Sequence, residues 1–401
     1  MAEPAVARSL HVSHTGIVGG AERSLLTLLD GLGPQRVVGV ACPEGELAEA
    51  VRRRGLAVHH VRGTTGSLRL DPVRTPLAIA EIVRTGMAVA RIAARSGATV
   101  VHANSVRAAL ATAIAARRGG PPAVIHVRDV LPDTRSARAV KRVALAQRGS
   151  VVCISRHVAD RFAPGGRSRL PLSIVHNPVD LTRFDPARVD REATRAQLDL
   201  PADAVAVAIV GQITHWKGHD TAVRALQIVR RIHPEVRLLV VGSVKFDAPA
   251  TRFANDDYLA ELRRLVAELG LASAVRFTGE REDIPEILGA VDLLVLPSIE
   301  EPFGRSIIEA MAMGTPGIAT DVGGPVEILS HGETGLLAPP RDPAAWAGAI
   351  AEVVERPDAA RIRALRARAV AAERFAADRH ARAMARVLDD TASGSVGRAP
   401  G

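Results

Sequence analysis

Short apolar runs alternate with longer amphipathic stretches along the whole chain. The short runs are rich in Val, Ile and Ala and have the length of buried β-strands, and the stretches between them have helical periodicity. Seven such runs lie in the first half, "RSLHVSH", "VVGVAC", "AVHHV", "TVVHA", "AVIHV", "VVCIS" and "SIVHN", and six in the second, "AVAIVG", "VRLLVVG", "AVRFTG", "DLLVLP", "GIAT" and "GLLA". This alternation predicts two α/β domains, each with a doubly wound parallel sheet.

A change in composition separates the two sets of predicted strands. The segment "NPVDLTRFDPARVDREATRAQLDLPADA" is rich in Asp, Pro and Arg and has no strong apolar face. We therefore expect a first domain over residues 1–180, a linker over 181–202 and a second domain over 203–375. A helix over 376–390 is expected to return to the first domain, and residues 391–401 to form a disordered tail.

Composition and charge narrow the class of protein. The chain has 401 residues, of which 47% are hydrophobic and only 2% aromatic, so Ala, Val, Leu and Ile must build both cores. A net charge of +9 favours anionic ligands or an anionic membrane surface. We expect no nucleic acid as a partner, because the basic residues are dispersed and aromatic residues for base stacking are nearly absent.

The cysteines and the lengths of the apolar segments predict a cytoplasmic protein. Cys42 and Cys153 lie inside predicted strands, as is typical of buried, reduced thiols. We find no apolar signal segment at the N-terminus and no stretch long enough to span a bilayer. The basic stretch "RSARAVKRVALAQR", residues 135–148, leaves two alternatives open. It is either a solvated helix face, the commoner case, or a helix that touches the inner face of an anionic membrane.

The most informative segment follows the predicted strand "DLLVLP". A tight turn leads into a helix predicted over residues 305–313, which Gly314 ends. The first N–H groups of this helix, those of Phe303, Gly304 and Arg305, are expected at the carboxyl edge of the sheet. A diphosphate binds at such a helix N-terminus by hydrogen bonds and by the helix dipole.

Two carboxylates, Glu301 and Glu309, border the same predicted turn. A carboxylate accepts hydrogen bonds from vicinal hydroxyls, which suits a ribose or a hexose. Taken alone, Glu309 is more often a solvating acid favoured by the helix dipole, and Glu301 a loop charge. The pair therefore indicates a sugar-binding site only when it is considered together with the neighbouring motifs.

A second strand, loop and helix occur in "VAIVGQITHWKGHDTAVRAL". The strand is predicted to end at Gly211, Gln212 follows it, and a helix begins near Gly218. Lys217 lies just before that helix, where its charge would neutralise a diphosphate leaving group. A surface lysine without a ligand is the alternative interpretation.

The first half contains further candidates at predicted strand ends. Gly19 and Gly20 lie in "SHTGIVGGAERSLLTLL", a glycine-rich loop that lacks the G-x-G-x-x-G spacing and is equally compatible with a packing turn. Other polar residues follow two later strands at the edge where α/β domains bind ligands, namely His102, Asn104, His126, Arg128 and Asp129. Structural hydrogen bonding at a strand end is the alternative for each of these five.

Taken together, these segments resemble a known family. The stretch "EPFGRSIIEAMAMGTPGIATDVGGPVEIL" is similar to the Glu-x7-Glu donor signature of the retaining GT-B glycosyltransferases of family 4, and "HGETGLLAPPRDPAAWAGAI" and "GQITHWKGHDTAVRAL" continue the pattern. The resemblance implies two Rossmann-like, doubly wound domains that face each other across a cleft. It also implies transfer of a hexose-type sugar, with retention, from a UDP- or GDP-sugar to a hydroxyl acceptor such as a glycan, a lipid-linked sugar or a small molecule.

The resemblance also implies roles for particular residues. Glu309 would bind the nucleotide ribose and Glu301 would approach the donor sugar, while the backbone around Phe303–Arg305 holds sugar and phosphate. Lys217 would contact the diphosphate, and the loop with Gly19 and Gly20 would face the donor. The remaining donor contacts are predicted at Gly211 and Gln212, and acceptor contacts at His102, Asn104 and Asp129.

Two positions depart from the family pattern. Gln212 stands where the family usually has an arginine on the diphosphate, and Arg305 is the candidate substitute for that charge. Arg128 stands where many members have the histidine of a His-Asp pair, and His126 could partly replace it. We therefore count Lys217, Glu301, His126 and Arg128 as the predicted catalytic residues.

We predict no metal site and no cofactor, because no metal-ligand motif occurs and the nucleotide sugar is a co-substrate. No enzymic nucleophile is evident, which favours a front-face mechanism. Two rival functions remain open on the same fold. One is a nucleotide-sugar epimerase, which would turn over the donor without an acceptor, and the other is a non-catalytic subunit that only binds the nucleotide sugar.

Overall fold

The computed structural model describes residues 6–63, 74–244 and 255–394, which cluster into two compact units. The first unit comprises Met1–Pro178 and Ala377–Gly401, and the second comprises Val179–Ala376. The segment predicted as a linker, residues 181–202, falls within the second unit. There it contains a helix, Arg191–Gln197.

The first unit contains a parallel sheet of seven strands. In chain order the strands are β1 Ser9–Val12, β2 Val37–Cys42, β3 Val58–His60, β4 Val100–Ala103, β5 Ala123–Val127, β6 Gly149–Cys153 and β7 Leu172–Ile174. The helices between them are α1 Gly20–Leu32, α2 Glu46–Arg52, α3 Arg74–Ser96, α4 Val106–Arg117, α5 Arg135–Ala144 and α6 Arg156–Phe162. The strand order is β3-β2-β1-β4-β5-β6-β7, so the direction of winding reverses between β1 and β4.

Short polar side chains start three helices of this unit directly after the strand ends. Ser105 precedes α4, Thr134 precedes α5 and Ser155 precedes α6, and each side-chain oxygen accepts a hydrogen bond from an N–H in the first helical turn. Such an N-cap stabilises a helix by roughly 1 kcal/mol. These caps define where each loop ends at the carboxyl edge of the sheet.

The second unit contains a parallel sheet of six strands. They are β8 Val205–Val210, β9 Val236–Val241, β10 Val275–Gly279, β11 Leu293–Leu296, β12 Gly317–Thr320 and β13 Leu336–Ala338. The helices are α7 Arg191–Gln197, α8 His219–Val229, α9 Asn255–Glu268, α10 Ile284–Ala290, α11 Arg305–Met313, α12 Pro325–Ile328, α13 Pro343–Glu355 and α14 Pro357–Arg374. The order β10-β9-β8-β11-β12-β13 places the reversal between β8 and β11.

The last helix, α15 Ala377–Ser393, belongs to the first unit. It packs closely on α1, since a Cβ on Gly31 would lie 2.5 Å from the Cβ of Ala381. Met384 and Leu388 are buried in the core cluster of the first unit. The helix continues into the segment predicted as a disordered tail, 391–401, of which residues 395–401 lie outside the described part of the chain.

All the strands predicted from the apolar runs are present, seven in the first sheet and six in the second. The fold class, two Rossmann-like α/β domains with doubly wound parallel sheets, is therefore confirmed. Among the described residues, no helix combines the length and apolarity that crossing a membrane requires.

Candidate functional site

The candidate site of the second unit lies where its strand order reverses. The loops after β8 and β11 meet there, and the N–H of Ile299 donates to the carbonyl of Trp216 at 2.8 Å. Gly218 makes this contact possible: its φ is 70°, and a Cβ at this position would overlap the carbonyl oxygen of Pro297. In open α/β sheets, ligands bind at this point of reversal.

Lys217 and Glu301 form an ion pair across these two loops. The Nζ of Lys217 lies 2.7 Å from Oε2 of Glu301, which also accepts a hydrogen bond from the Ser298 hydroxyl at 2.7 Å. The lysine ammonium lies 4.3 Å from the ring centroid of Trp216. Both side chains are largely buried, with 15% of Lys217 and 7% of Glu301 exposed, so the pair has a defined geometry.

Helix α11 begins and ends at the predicted residues. Its N-cap is Gly304, with φ of 106° and no side chain to accept hydrogen bonds from the first turn, and Gly314 ends the helix. Phe303 is buried against Phe375, with ring centroids 5.9 Å apart. Phe303 therefore anchors the turn through its side chain, and only its backbone belongs to the candidate site.

Glu309 is paired with Arg305 within the same helix. The Nη2 of Arg305 lies 2.7 Å from Oε1 of Glu309, and 11% of the Glu309 side chain is exposed. The candidate site thus combines two carboxylates with two cations beside a helix N-terminus. Such a set can bind hydroxyl groups through the carboxylates and phosphate oxygens through the cations and amides.

Other predicted residues of this unit lie beside the ion pair. Gly211 follows β8, and a Cβ on it would lie 3.8 Å from Cε of Lys217. The half-buried Gln212 side chain makes no hydrogen bond to the described residues. His219, in the first turn of α8, is buried, and burial together with Lys217 lowers its pKa to about 3. A neutral imidazole therefore lies near Lys217 and adds no competing charge.

Two contacts of Glu301 were missed by the sequence analysis. Ser298 binds its carboxylate, and the N–H of Gly324 donates to its backbone carbonyl at 2.8 Å. Ser298 stands three residues before Glu301 in the same loop, so its position offered a signal. Gly324 follows the next strand, β12, and its contact depends on the tertiary arrangement.

In the first unit, the predicted glycine loop leads directly into α1. Gly19 is the N-cap of this helix, and its N–H donates to Oε2 of Glu22 at 3.2 Å. Gly20 is the first helical residue and is exposed. Burial raises the pKa of Glu22, and the bond from Gly19 acts in the opposite direction.

Three histidines of neighbouring strands form a buried hydrogen-bonded chain. The Nδ1 atoms of His11 and His102 are 2.9 Å apart, and Nε2 of His102 lies 3.1 Å from Nδ1 of His126. The Ser9 hydroxyl donates to the carbonyl of Arg36 and lies 2.9 Å from Nε2 of His11. Burial lowers the pKa of all three histidines, to about 3 for His11.

This burial bears on the predicted roles of His102 and His126. Neither ring is exposed within the first unit. Each is neutral, and each already has a partner inside the sheet. Contact of these two side chains with a ligand stays a prediction that the geometry does not favour.

Arg128 is held at the carboxyl edge of the first sheet by two amide side chains. Its Nε donates to Oδ1 of Asn104 at 3.0 Å, and its Nη1 to Oδ1 of Asn177 at 2.9 Å. Only 5% of Arg128 is exposed, whereas Asp129 next to it is exposed. Asn177 was missed, although it closely follows β7 at the same edge of the sheet.

The remaining predictions concern metal ions and thiols. The described residues include no group of three or more His, Cys, Asp or Glu side chains disposed to hold a metal ion. Cys42 and Cys153 are free and buried, and burial raises their pKa to about 11 and about 12.

Comparison with solved structures gives the class. Two doubly wound parallel sheets with loops meeting at the strand reversal are the fold of the GT-B glycosyltransferases. The structure of Anabaena Alr3699/HepE in complex with UDP-glucose has a TM-score of 0.81 and 26% identity, over 96% of this chain and 100% of that chain. Sucrose-phosphate synthase from Thermosynechococcus elongatus, at 23% identity and a TM-score of 0.78 over 97% and 100%, has the same fold.

Family models identify the chain more closely. Residues 18–183 match glycosyltransferase family 4, and residues 190–371 match the glycosyl transferases group 1. Both models describe glycosyltransferases, and together their matches span most of the chain.

Curated relatives include D-inositol 3-phosphate glycosyltransferases. That of Streptomyces scabiei is 36% identical over 189 residues, 47% of this chain and 42% of the relative. That of Mycolicibacterium smegmatis is 37% identical over 213 residues, 53% of this chain and 44% of the relative. The match thus spans less than half the length of these relatives.

Proposed function

We propose that this protein transfers a hexose-type sugar from a nucleoside-diphosphate sugar to a hydroxyl acceptor with retention of anomeric configuration. The observation that carries the proposal is the pair of Lys217 and Glu301, 2.7 Å apart, beside the N-terminus of the helix that carries Glu309. The similar Anabaena structures contain UDP or UDP-glucose, which supports a donor linked to UDP, with GDP as the alternative.

In this proposal Lys217 stabilises the leaving diphosphate. A lysine ammonium has three N–H donors, so it can keep its bond to Glu301 and still donate to a phosphate oxygen. Negative charge on the diphosphate grows as the bond to the sugar breaks, and a fixed cation therefore favours the transition state. The N-terminal amides at Gly304 and Arg305 act in the same direction.

Glu309 and Glu301 bind the two sugars of the donor. The Arg305 guanidinium holds Oε1 of Glu309, and no hydrogen bond from the described residues reaches Oε2, which accepts the ribose hydroxyls. Glu301 is oriented by Lys217 and Ser298 and approaches the hexose. Gly211 and Gln212 complete the donor contacts of this unit through the loop after β8.

The transfer itself proceeds on one face of the sugar. The bond between the anomeric carbon and the phosphate oxygen breaks, and its electron pair stays on the diphosphate. The acceptor oxygen forms the new bond to the anomeric carbon and passes its proton to the departing phosphate oxygen. The proposal needs no enzymic nucleophile and no metal ion, because Lys217 and the helix amides supply the positive charge.

The first unit contributes the acceptor contacts in this proposal. Arg128, oriented by Asn104 and Asn177, supplies a cation at the carboxyl edge of the first sheet, with Asp129 exposed beside it. The acceptor is a glycan, a lipid-linked sugar or a small molecule, and the names of the relatives make D-inositol 3-phosphate the first acceptor to test. The exposed arginines of α5 would hold the protein at the inner face of an anionic membrane.

Product analysis tests the proposal. The full-length protein is incubated with UDP- and GDP-sugars, with and without acceptors, and NMR reports the anomeric configuration of the product. We expect transfer that requires an acceptor, retains the configuration and persists in saturating EDTA. Epimerisation of the donor without an acceptor, an inverted product, or activity that EDTA abolishes and Mg²⁺ restores would each contradict it.

A further inference from the structure

The second unit contains a pocket of about 490 Å³ beside the N-terminus of α8, called here the α8 pocket. Its volume lies within the range of about 300 to 1,000 Å³ that is typical of small-molecule sites. The residues that matter for its chemistry are His215, Asp220, Arg224, Ile299, Arg341 and Pro343. They come from the loops after β8, β11 and β13 and from the first turns of α8.

Two arginines of the α8 pocket make no ion pair within the described part of the chain, and they outnumber the one carboxylate of the lining, Asp220. Arg224 and Arg341 are exposed, and neither makes a hydrogen bond or an ion pair to a described residue. Lys217 and Arg305, in contrast, are each paired with a carboxylate at 2.7 Å. The guanidinium groups of the α8 pocket are therefore available to an anionic ligand, which they can bind through bidentate hydrogen bonds.

The acidic residue of the lining, Asp220, is hydrogen-bonded to Tyr258. Its carboxylate accepts a hydrogen bond from the Tyr258 hydroxyl at 3.1 Å, and the backbone N–H of Asp220 donates to the Tyr258 hydroxyl oxygen at 3.3 Å. Tyr258 also packs against His215, with ring centroids 4.0 Å apart. Tyr258 thus orients both a carboxylate and a third basic side chain at the rim of the pocket.

The backbone of Arg341 provides a second, independent indication. Its φ is 59°, in the left-handed region that a side chain other than glycine or asparagine rarely adopts. Both flanks of the residue are anchored: the Trp346 indole donates to the carbonyl of Pro339 at 2.8 Å, and Asp342 caps α13. The fold therefore holds an arginine at the pocket where a glycine would fit the backbone better.

We propose that the α8 pocket binds a small oxyanion of the phosphate class, such as a phosphomonoester, through Arg224 and Arg341. This site is separate from the paired carboxylates and cations of the candidate donor site. It is connected to that site by two loops, since His215 belongs to the same 3-10 turn as Lys217, and Ile299 to the same loop as Glu301.

Calorimetric titration of the full-length protein with inorganic phosphate, at constant ionic strength, tests this proposal. The double variant Arg224→Gln/Arg341→Gln is compared with Arg361→Gln/Arg366→Gln, two exposed arginines of α14 that lie outside the pocket lining. Both doubles remove the same net charge. We expect the pocket variant to bind phosphate at least tenfold more weakly and the control to bind like the wild type.

Two outcomes of this titration would overturn the proposal. Unchanged phosphate binding in the pocket variant would show that the arginines are not ligands. An equal loss in both doubles would show a nonspecific effect of net charge.

Further variants separate folding and the neighbouring site from binding. Arg341→Gly suits the backbone, so we expect a Tm at least as high as the wild type and loss of the rise in Tm that phosphate causes. Lys217→Gln should keep the phosphate titration unchanged. Loss of phosphate binding in Lys217→Gln alone, with Arg341→Gly unaffected, would assign the anion to the candidate donor site instead.

Vesicles containing phosphatidic acid distinguish a free phosphomonoester from a lipid headgroup. We expect free phosphate to bind, and binding to vesicles to be the same with and without the two arginines. Vesicle binding that requires Arg224 and Arg341, with no binding of free phosphate, would contradict the proposed small ligand.

Discussion

At the scale of single residues, Lys217 and Glu301 show what a local motif can predict. Each was placed near a bound diphosphate by its own strand, loop and helix, and the two lie 84 positions apart in the chain. Their 2.7 Å ion pair could not be predicted, because it depends on the contact between two loops and on the missing side chain of Gly218. The same holds for the partners of Arg128, which come from the ends of two other strands.

The first prediction concerns Lys217. Lys217→Ala should lower kcat by about 100-fold or more, with a smaller change in KM, because the lysine acts on charge that develops in the transition state. Steady-state kinetics with saturating acceptor measures both constants, and the exposed Arg361→Ala serves as the control. A change confined to KM would contradict the role assigned to Lys217.

The second prediction concerns the missing arginine at Gln212. Arg305 is bound to Glu309 in the structure, so it reaches the diphosphate only if it serves both groups, as a guanidinium with five N–H donors can. If it does, Arg305→Ala should lower kcat as severely as Lys217→Ala, and Gln212→Arg should partly restore it. A kcat close to that of the wild type in Arg305→Ala would contradict this role of Arg305. Lys217 and the helix amides would then be the groups that stabilise the diphosphate.

At the scale of elements, the apolar pattern predicted the strands well because a buried parallel strand is a short run of β-branched and apolar residues. The bounds of α11 were also predicted, since Gly304 and Gly314 mark both ends. The face of the sheet on which each side chain lies was not predictable. Strand β5 is buried along its entire length, so no alternation of apolar and polar residues shows on which face His126 lies. Helix α7 was missed because its short Arg-rich sequence has no strong apolar face.

The third prediction follows from the buried histidines of β1, β4 and β5. The pKa of His11 is about 3 in the folded protein and near 6.5 when unfolded. Between these two pH values the imidazole is therefore protonated in the unfolded state and neutral in the folded state. The stability that neutral His11 provides is present above pH 6.5 and is lost as the pH falls towards 3. Between pH 7 and pH 5, the free energy of unfolding is expected to fall by about 2 kcal/mol because of His11.

Urea unfolding at pH 7 and pH 5 measures this effect. His11→Gln should be less stable than the wild type at pH 7, because it disturbs the bonds to Ser9 and His102. Between pH 7 and pH 5, the free energy of unfolding should fall by about 2 kcal/mol less in His11→Gln than in the wild type. The exposed His60→Gln should keep the pH dependence of the wild type. An equal loss in His11→Gln and the wild type would contradict the assignment.

The fourth prediction concerns α5 as a membrane-binding surface. Arg135, Arg138 and Arg142 are exposed on this helix together with Val143. Each basic residue near an anionic bilayer contributes about 1 kcal/mol, so replacing all three arginines with Gln should weaken binding to phosphatidylglycerol vesicles by at least about tenfold. Co-sedimentation at low and high salt measures this.

A charge-matched control uses Arg361, Arg366 and Arg379, which are exposed elsewhere. Their replacement with Gln should leave vesicle binding close to that of the wild type. If the wild type does not sediment with anionic vesicles, α5 is a solvated helix face, the alternative that the sequence left open.

At the scale of the whole molecule, the order of elements along the chain explains how two similar sheets arise. Each sheet begins with three strands on one side and continues on the other, and α15 closes the first unit after the chain has formed the second. The family and the fold class followed from the sequence because donor-site motifs and apolar runs are local. The acceptor did not, because no motif in the first half of the chain is specific for one, and residues 64–73 of that half lie outside the described part of the chain.

The central claim is that the second unit binds a nucleoside-diphosphate sugar through Glu309 and its neighbours. Calorimetric titration with UDP, GDP and their sugars tests it most directly, on the wild type and on Glu309→Ala. We predict saturable binding of one nucleotide series to the wild type. In Glu309→Ala the affinity should be weaker by about 1 to 3 kcal/mol, because ribose hydroxyls lose their acceptor. If no nucleotide binds, or if Glu309→Ala binds as tightly as the wild type, the account is wrong.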